Sequence, residues 1–168
     1  MRMPRIKINS GYSLLEIVIY VGILAIIAVL VVGSTLSIYR AFAKTRVERK
    51  LIANGDVALE TMIRGIRSAT SSNAAVSVFG SSPGVLQINA ENSTEKFSLS
   101  GTILQIKRGG DAAGNLTSPD VSVTSLIFYS TSTDDSTMIR TQFTLEAGSG
   151  IFKKTKSFYG SAVMRGRY

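Results

Sequence analysis

The spacing of apolar residues changes character twice along the chain. From Ile17 to Tyr39 there is no charged side chain. The stretch Tyr12 to Val32, 21 residues long, is close to continuously apolar. As a helix it would measure about 32 Å, near the thickness of a bilayer's hydrocarbon core. Beyond it, apolar residues recur at Leu36, Tyr39, Phe42, Val47, Leu51, Leu59, Met62 and Ile66. Most steps are three or four residues, with wider gaps near Val47 and Asn54-Gly55. Arg40, Lys44, Arg49, Lys50, Glu60, Arg64 and Arg67 fall between them. That pattern predicts an amphipathic helix with one face for packing and one for water. Its apolar stripe is expected to dock on whatever folds downstream. Gly55 is a place where a kink is expected, at a cost of about 1 kcal/mol relative to alanine. Glu48 has only Lys44 as a helical neighbour of opposite charge, which makes a weak surface pair.

After the polar joint Ser68–Asn73 the period falls to two. Val76–Phe79, Val85–Asn89, Lys96–Leu99 and Thr102–Lys107 are short, β-branched and bounded by Gly, Ser, Pro or Asn, as strands are. Residues 109–115 are glycine-rich and read as a loop. Val121–Tyr129 and Met138–Leu145 are the strongest strands, with a turn at Ser130–Ser136 between them. Ile151–Phe158 reads as a further strand. Its lysines, Lys153, Lys154 and Lys156, suit a sheet edge because they discourage pairing with another chain. The expected fold class is α+β: a long N-terminal helix, half transmembrane and half amphipathic, packed on a small antiparallel sheet. The organisation follows as residues 1–11, a basic leader; 12–70, one helix (12–39 the membrane or filament core, 40–70 the amphipathic half); and 75–168, a β-rich domain.

Composition narrows the chemistry. The chain has neither cysteine nor histidine. This excludes thiol nucleophiles, Ser-His-Asp triads, disulfides and the usual zinc ligand sets. We expect no enzyme activity, no metal and no cofactor. The formal charge of +8 includes the leader cations Arg2, Arg5 and Lys7, so the rest carries a modest +5. That permits attraction to anionic lipid or nucleic acid without requiring either.

Glu16 stands alone among apolar residues. A carboxylate at the centre of a membrane helix costs about 2.5–3.5 kcal/mol on insertion scales, so it needs a function. Five residues before it is Gly11, the end of the basic leader. The run Gly11-Tyr12-Ser13-Leu14-Leu15-Glu16, followed by the apolar span, resembles the processing motif of type IV prepilins and type II secretion pseudopilins. A secretory signal would have a shorter apolar region and a small-residue cleavage site beyond it. A signal anchor carrying an isolated acid is the alternative.

The resemblance implies a set of roles. A prepilin peptidase would cut after Gly11, whose missing side chain lets the backbone enter a close-fitting site. Tyr12 would become the N-methylated first residue, where phenylalanine is the family's commoner choice. Glu16 would neutralise the amino terminus of a neighbouring subunit and set its register in a filament. Gly22 and Gly33 are where the helix would loosen on assembly. The implied partners are other pilin or pseudopilin subunits, the peptidase, an inner-membrane assembly platform and membrane lipid. The chain would begin as a single-pass inner-membrane protein with its globular domain outside the cytoplasm and end in a pilus or pseudopilus. Arg40, Lys44, Arg46, Arg49 and Lys50 follow the span, and charge counting alone would slightly favour the opposite orientation; the resemblance puts the N-terminus in the cytoplasm.

The C-terminal part is similar to minor, J-like pilins and pseudopilins in Val123–Phe128, Ile139–Leu145 and Phe158–Arg165. The chain departs from many type IV pilins in lacking a C-terminal disulfide. Its Glu16 differs from the tip subunits of secretion pseudopili, which typically lack this acid. A second reading gives Lys153, Lys154, Lys156, Arg165 and Arg167 to DNA, as in a competence pilus. A solvated edge is the plainer account of them. A membrane-anchored hydrolase is a third reading, disfavoured by the missing histidine and cysteine. Asp111, Asp120, Asp134 and Asp135 match no calcium motif. Asn92-Ser93-Thr94 and Asn115-Leu116-Thr117 fit glycosylation acceptors, a pattern common by chance.

Overall fold

The computed structural model describes residues 13–90, 93–133 and 136–165. One α-helix, α1, runs from Leu14 to Ser68. The strands that follow are β1 (Ser71–Ser72), β2 (Leu86–Asn89), β3 (Thr94–Ser100), β4 (Ile103–Arg108), β5 (Gly114–Asn115), β6 (Val121–Ser132), β7 (Thr137–Ala147) and β8 (Lys154–Val163), with a 3₁₀ turn at Gly150–Phe152 before the last. The fold is α+β, a long N-terminal helix packed on antiparallel sheet. The chain divides into two compact units, Met1–Phe42 and Ala43–Tyr168, so the amphipathic part of α1 belongs with the strands.

There are two sheets where the sequence suggested one. The first has the order β1-β2-β3-β4-β5, the second β6-β7-β8, and every pairing is antiparallel. Backbone bonds join the two. Val123 donates to the Thr102 carbonyl at 2.8 Å, and the loop at residues 80–84 covers the open edge of β6 through Gly80 to Phe128 (2.8 Å) and Gly84 to Leu126 (2.7 Å).

In the globular unit α1 buries Leu51, Gly55, Ala58, Met62, Gly65 and Ile66, a face at helical spacing. The strands answer with alternate residues: Leu86 and Ile88, Leu104 and Ile106, Ile139, Phe143 and Leu145, all buried. On β6 the alternation breaks. Val121 and Val123 are buried, and so are Leu126 and Phe128, with a register shift between Val123 and Ser125. A bulge adds one residue to one strand, and here it keeps both pairs on the core face.

Several expectations are corrected. Leu36, Tyr39 and Phe42 are exposed, so the docked stripe begins at Val47, which is half-buried. Val76–Phe79 is no strand; only an isolated bridge, Val78 to Val85, forms there. Part of the 109–115 loop pairs as β5, and residues 71–72 of the expected joint pair as β1. The β6–β7 turn is shorter than Ser130–Ser136, since β6 continues to Ser132 and β7 starts at Thr137. The strand expected at Ile151–Phe158 is β8, which runs on to Val163 and starts at Lys154 because a 3₁₀ turn occupies Gly150–Phe152.

Gly55 does not kink α1, which is continuous through it. A Cβ there would overlap the Cζ and both Cε atoms of Phe158. The glycine is a seat for an aromatic ring, and that ring stacks on Phe143 with centroids 5.2 Å apart and planes at 12°.

Candidate functional site

The N-terminal half of α1 is long and apolar enough to cross a membrane. Its most apolar 18-residue window has a mean hydropathy of 3.0, and none of that window is buried. Leucines, isoleucines and valines from Leu14 to Val32 are exposed on every side of the helix. A helix apolar all round is satisfied only by lipid or by other protein. This property is compatible with a membrane anchor.

The helix begins at Leu14, and its first bond runs from the Ile17 amide to the Ser13 carbonyl at 3.2 Å. Glu16 lies in this first turn, where free amides and the helix dipole favour an acid by about 0.3–1 kcal/mol. It is half-buried, whereas every other described residue from Ser13 to Phe42 is exposed. Tyr20, one turn on, donates its hydroxyl to Glu16 Oε1 at 2.9 Å. Tyr20 was not singled out in the sequence. The four-residue spacing of a phenol after a lone acid is the signal that could have found it. Within hydrocarbon, a carboxylate with a hydrogen-bond donor at hand is cheaper than one without.

Gly11 and Tyr12 lie outside the described residues. Gly22 and Gly33 are inside α1, which is regular at both, and a Cβ at either would meet nothing within 4 Å.

The basic residues considered for DNA are not gathered into one free strip. Lys153 pairs with Glu146 at 2.9 Å, and Lys154 with Glu48 at 2.7 Å. Lys156 lies 5.8 Å from the centre of the Phe158 ring. Arg165 is exposed, and Arg167 lies outside the described residues. β8 is an outer strand of its sheet, as its lysines suggested. Glu48 therefore bonds across to β8 rather than to Lys44.

A second cross-link joins the helix to the loop before β6: Lys50 Nζ to Asp120 Oδ2 at 2.8 Å. The Lys50 ammonium, first by hydrogen bond and then by charge, holds the Asp120 carboxyl below its ordinary range. Asn54 adds a third link, accepting from the Ser118 amide at 2.7 Å. Asp111 lies in the β4–β5 loop, and Asp134 and Asp135 lie outside the described residues. Among the described residues no group of three His, Cys, Asp or Glu is placed to hold a metal.

A groove of about 490 Å³ in the globular unit is lined by Glu60, Arg64, Gly65, Glu95 and Arg108 among others. Its charges are matched in pairs, Arg64 to Glu60 at 2.5 Å and Arg108 to Glu95 at 2.8 Å. Gly65 makes room for the acid, since a Cβ there would sit 2.6 Å from Glu95 Oε2. Among the described residues, each charge that lines the groove has a partner of opposite sign.

No family model matches the chain, and neither the curated proteins nor the solved structures include a match.

Proposed function

We propose that this chain is a structural filament subunit, a minor pilin or pseudopilin of a type IV pilus or type II secretion system, without catalytic activity. The observation that carries the reading is the single helix Leu14–Ser68. Its first half is apolar and uncovered and holds one acid in its first turn; its second half is docked on a sheet domain. A helix of that kind serves both as a membrane anchor and as the packing core of an assembly. The two environments are interchangeable because both are dry.

On this reading the leader is removed after Gly11 by the prepilin peptidase, and the new amine at Tyr12 is methylated. Glu16 then does two jobs in sequence. In the bilayer its carboxylate is held by the Tyr20 hydroxyl. In the filament it faces the Tyr12 amine of the adjacent subunit. At 4 Å such a pair attracts by about 1 kcal/mol in water and about 4 kcal/mol at an effective dielectric of 20. The gain on entering a drier setting favours assembly and fixes the register. Gly22 and Gly33, with open space around them, let neighbouring helices approach closely. The J-like placement rests on the terminal strands β6, β7 and β8.

The test is incorporation. The chain is co-expressed with a peptidase and an assembly platform, and sheared filaments are probed for it. Glu16→Ala should lower incorporation at least tenfold while leaving membrane insertion and leader removal intact. Unchanged incorporation of Glu16→Ala would remove the basis of the reading.

A further inference from the structure

The helix enters the globular unit through a segment whose positive charges are not balanced. Lys44, Arg46, Arg49 and Lys50 fall within seven residues, with Glu48 as the acid among them. Glu48 is taken by Lys154 at 2.7 Å, and Lys50 is taken by Asp120 at 2.8 Å. Lys44, Arg46 and Arg49 are exposed and have no acid partner among the described residues. At about 100° per residue, Arg46 and Arg49 lie roughly 200° and 140° around the helix from Lys44. Lys44 therefore stands on one side of the helix, and Arg46 and Arg49, about 60° apart, stand on the other. A partner approaching from one side would leave part of such a collar unused, whereas a surface pierced by the helix would meet all of it.

The collar's distance along the chain fits a lipid headgroup layer. The uncharged run ends at Tyr39. Lys44 is five residues further, about 8 Å along a helix, and Arg49 about 15 Å. The polar layer outside the hydrocarbon is roughly 5–8 Å deep on each side. Lys and Arg stems reach back towards it, and Arg49 remains within about one Debye length of the surface. Tyr39 is 70% exposed at the position where interfacial aromatic residues occur.

We propose that Lys44, Arg46 and Arg49 bind the phosphate groups of anionic lipids at the membrane face from which the globular unit emerges. The proposal rests on the reading that α1 spans the bilayer. It gives a use to cations that run against the orientation rule for that side. It also supplies a hold on the subunit that assembly must break.

The experiment uses the full chain in phosphatidylcholine vesicles containing trace spin-labelled phosphatidylglycerol or spin-labelled phosphatidylcholine. Electron paramagnetic resonance gives the share of each label immobilised by protein. We expect phosphatidylglycerol to be favoured about fivefold, the order expected of one well-placed cation near a charged surface. The preference should fall at least twofold in the K44Q/R46Q/R49Q variant, in which Arg40 remains, and collapse towards one in high salt, with total immobilised lipid unchanged. Immobilised lipid without headgroup preference would overturn the collar and leave the spanning helix standing. No immobilised lipid of either kind would instead sink the spanning helix. A short DNA duplex is added as the competing ligand: if the triple substitution removes DNA binding but leaves lipid preference intact, the collar serves nucleic acid and the proposal is wrong.

Discussion

Replacing Gly55 by alanine puts the packing account at risk with a single methyl group. The new Cβ would occupy the space of the Phe158 ring tip, whereas carbon atoms rest about 3.5–4.0 Å apart. The ring has little freedom to retreat, because Phe158 is only 7% exposed and stacks on Phe143. Overpacking of this kind costs about 1–3 kcal/mol, and a disturbed aromatic stack adds about 0.5–1.5 kcal/mol. Against this, alanine in a helix interior gains about 0.5–1 kcal/mol over glycine. The net loss is about 2 kcal/mol. At roughly 4 °C per kcal/mol for a domain of this size, Tm falls by about 8 °C. The assay is thermal unfolding of the full chain in detergent, followed by near-ultraviolet circular dichroism. Gly22→Ala and Gly33→Ala are the controls, since a Cβ at either meets nothing within 4 Å. In a Phe158→Leu background the shorter side chain makes room, and Gly55→Ala should cost less than half as much. If Gly55→Ala leaves Tm unchanged or raises it, or costs the same in both backgrounds, the seat for the ring is not real.

Two further substitutions follow from the same core and its cross-links. Thr141 is fully buried, and its hydroxyl has no hydrogen-bond partner among the described residues; Thr141→Val should raise Tm by about 4 °C, from about 1 kcal/mol of relieved desolvation, and a fall in Tm would show that the hydroxyl is satisfied. Asp120 has its pKa lowered by Lys50, so the pair stabilises the fold above the unfolded-state pKa and loses that contribution as pH falls through the lowered folded-state value. Asp120→Asn should flatten the acid limb of a plot of Tm against pH below the ordinary range of an aspartate carboxyl, and parallel curves for the two proteins would contradict the link.

What the sequence made legible is what periodicity records. The helix extent, the six longer strands and the edge position of the lysines at β8 follow from spacing and residue type. Hidden were features that depend on distant partners. Glu48 has a poor partner at helical spacing and a good one 106 residues away at Lys154. Gly55 has the chemistry of a kink until Phe158 arrives to fill it. The β6 bulge is visible only as an apolar step of three between Val123 and Leu126, which is ambiguous until β7 fixes the register. The division into two sheets, bridged by the Val123 bond to Thr102 and by the loop at residues 80–84, is announced by no side-chain pattern. At the candidate site, Glu16 stood out as a charge in an apolar run. Tyr20 did not, because a tyrosine there is unremarkable until its hydroxyl is seen on the carboxylate.

The central claim is that the chain is a processed filament subunit, and its N-terminus tests that most directly. The protein is recovered from membranes of cells with and without the prepilin peptidase, and its intact mass and N-terminal sequence are determined. The account predicts a chain that starts at a methylated Tyr12 only when the peptidase is present. A chain that still starts at Met1 in both would contradict it and leave a membrane-anchored domain that no peptidase prepares for assembly.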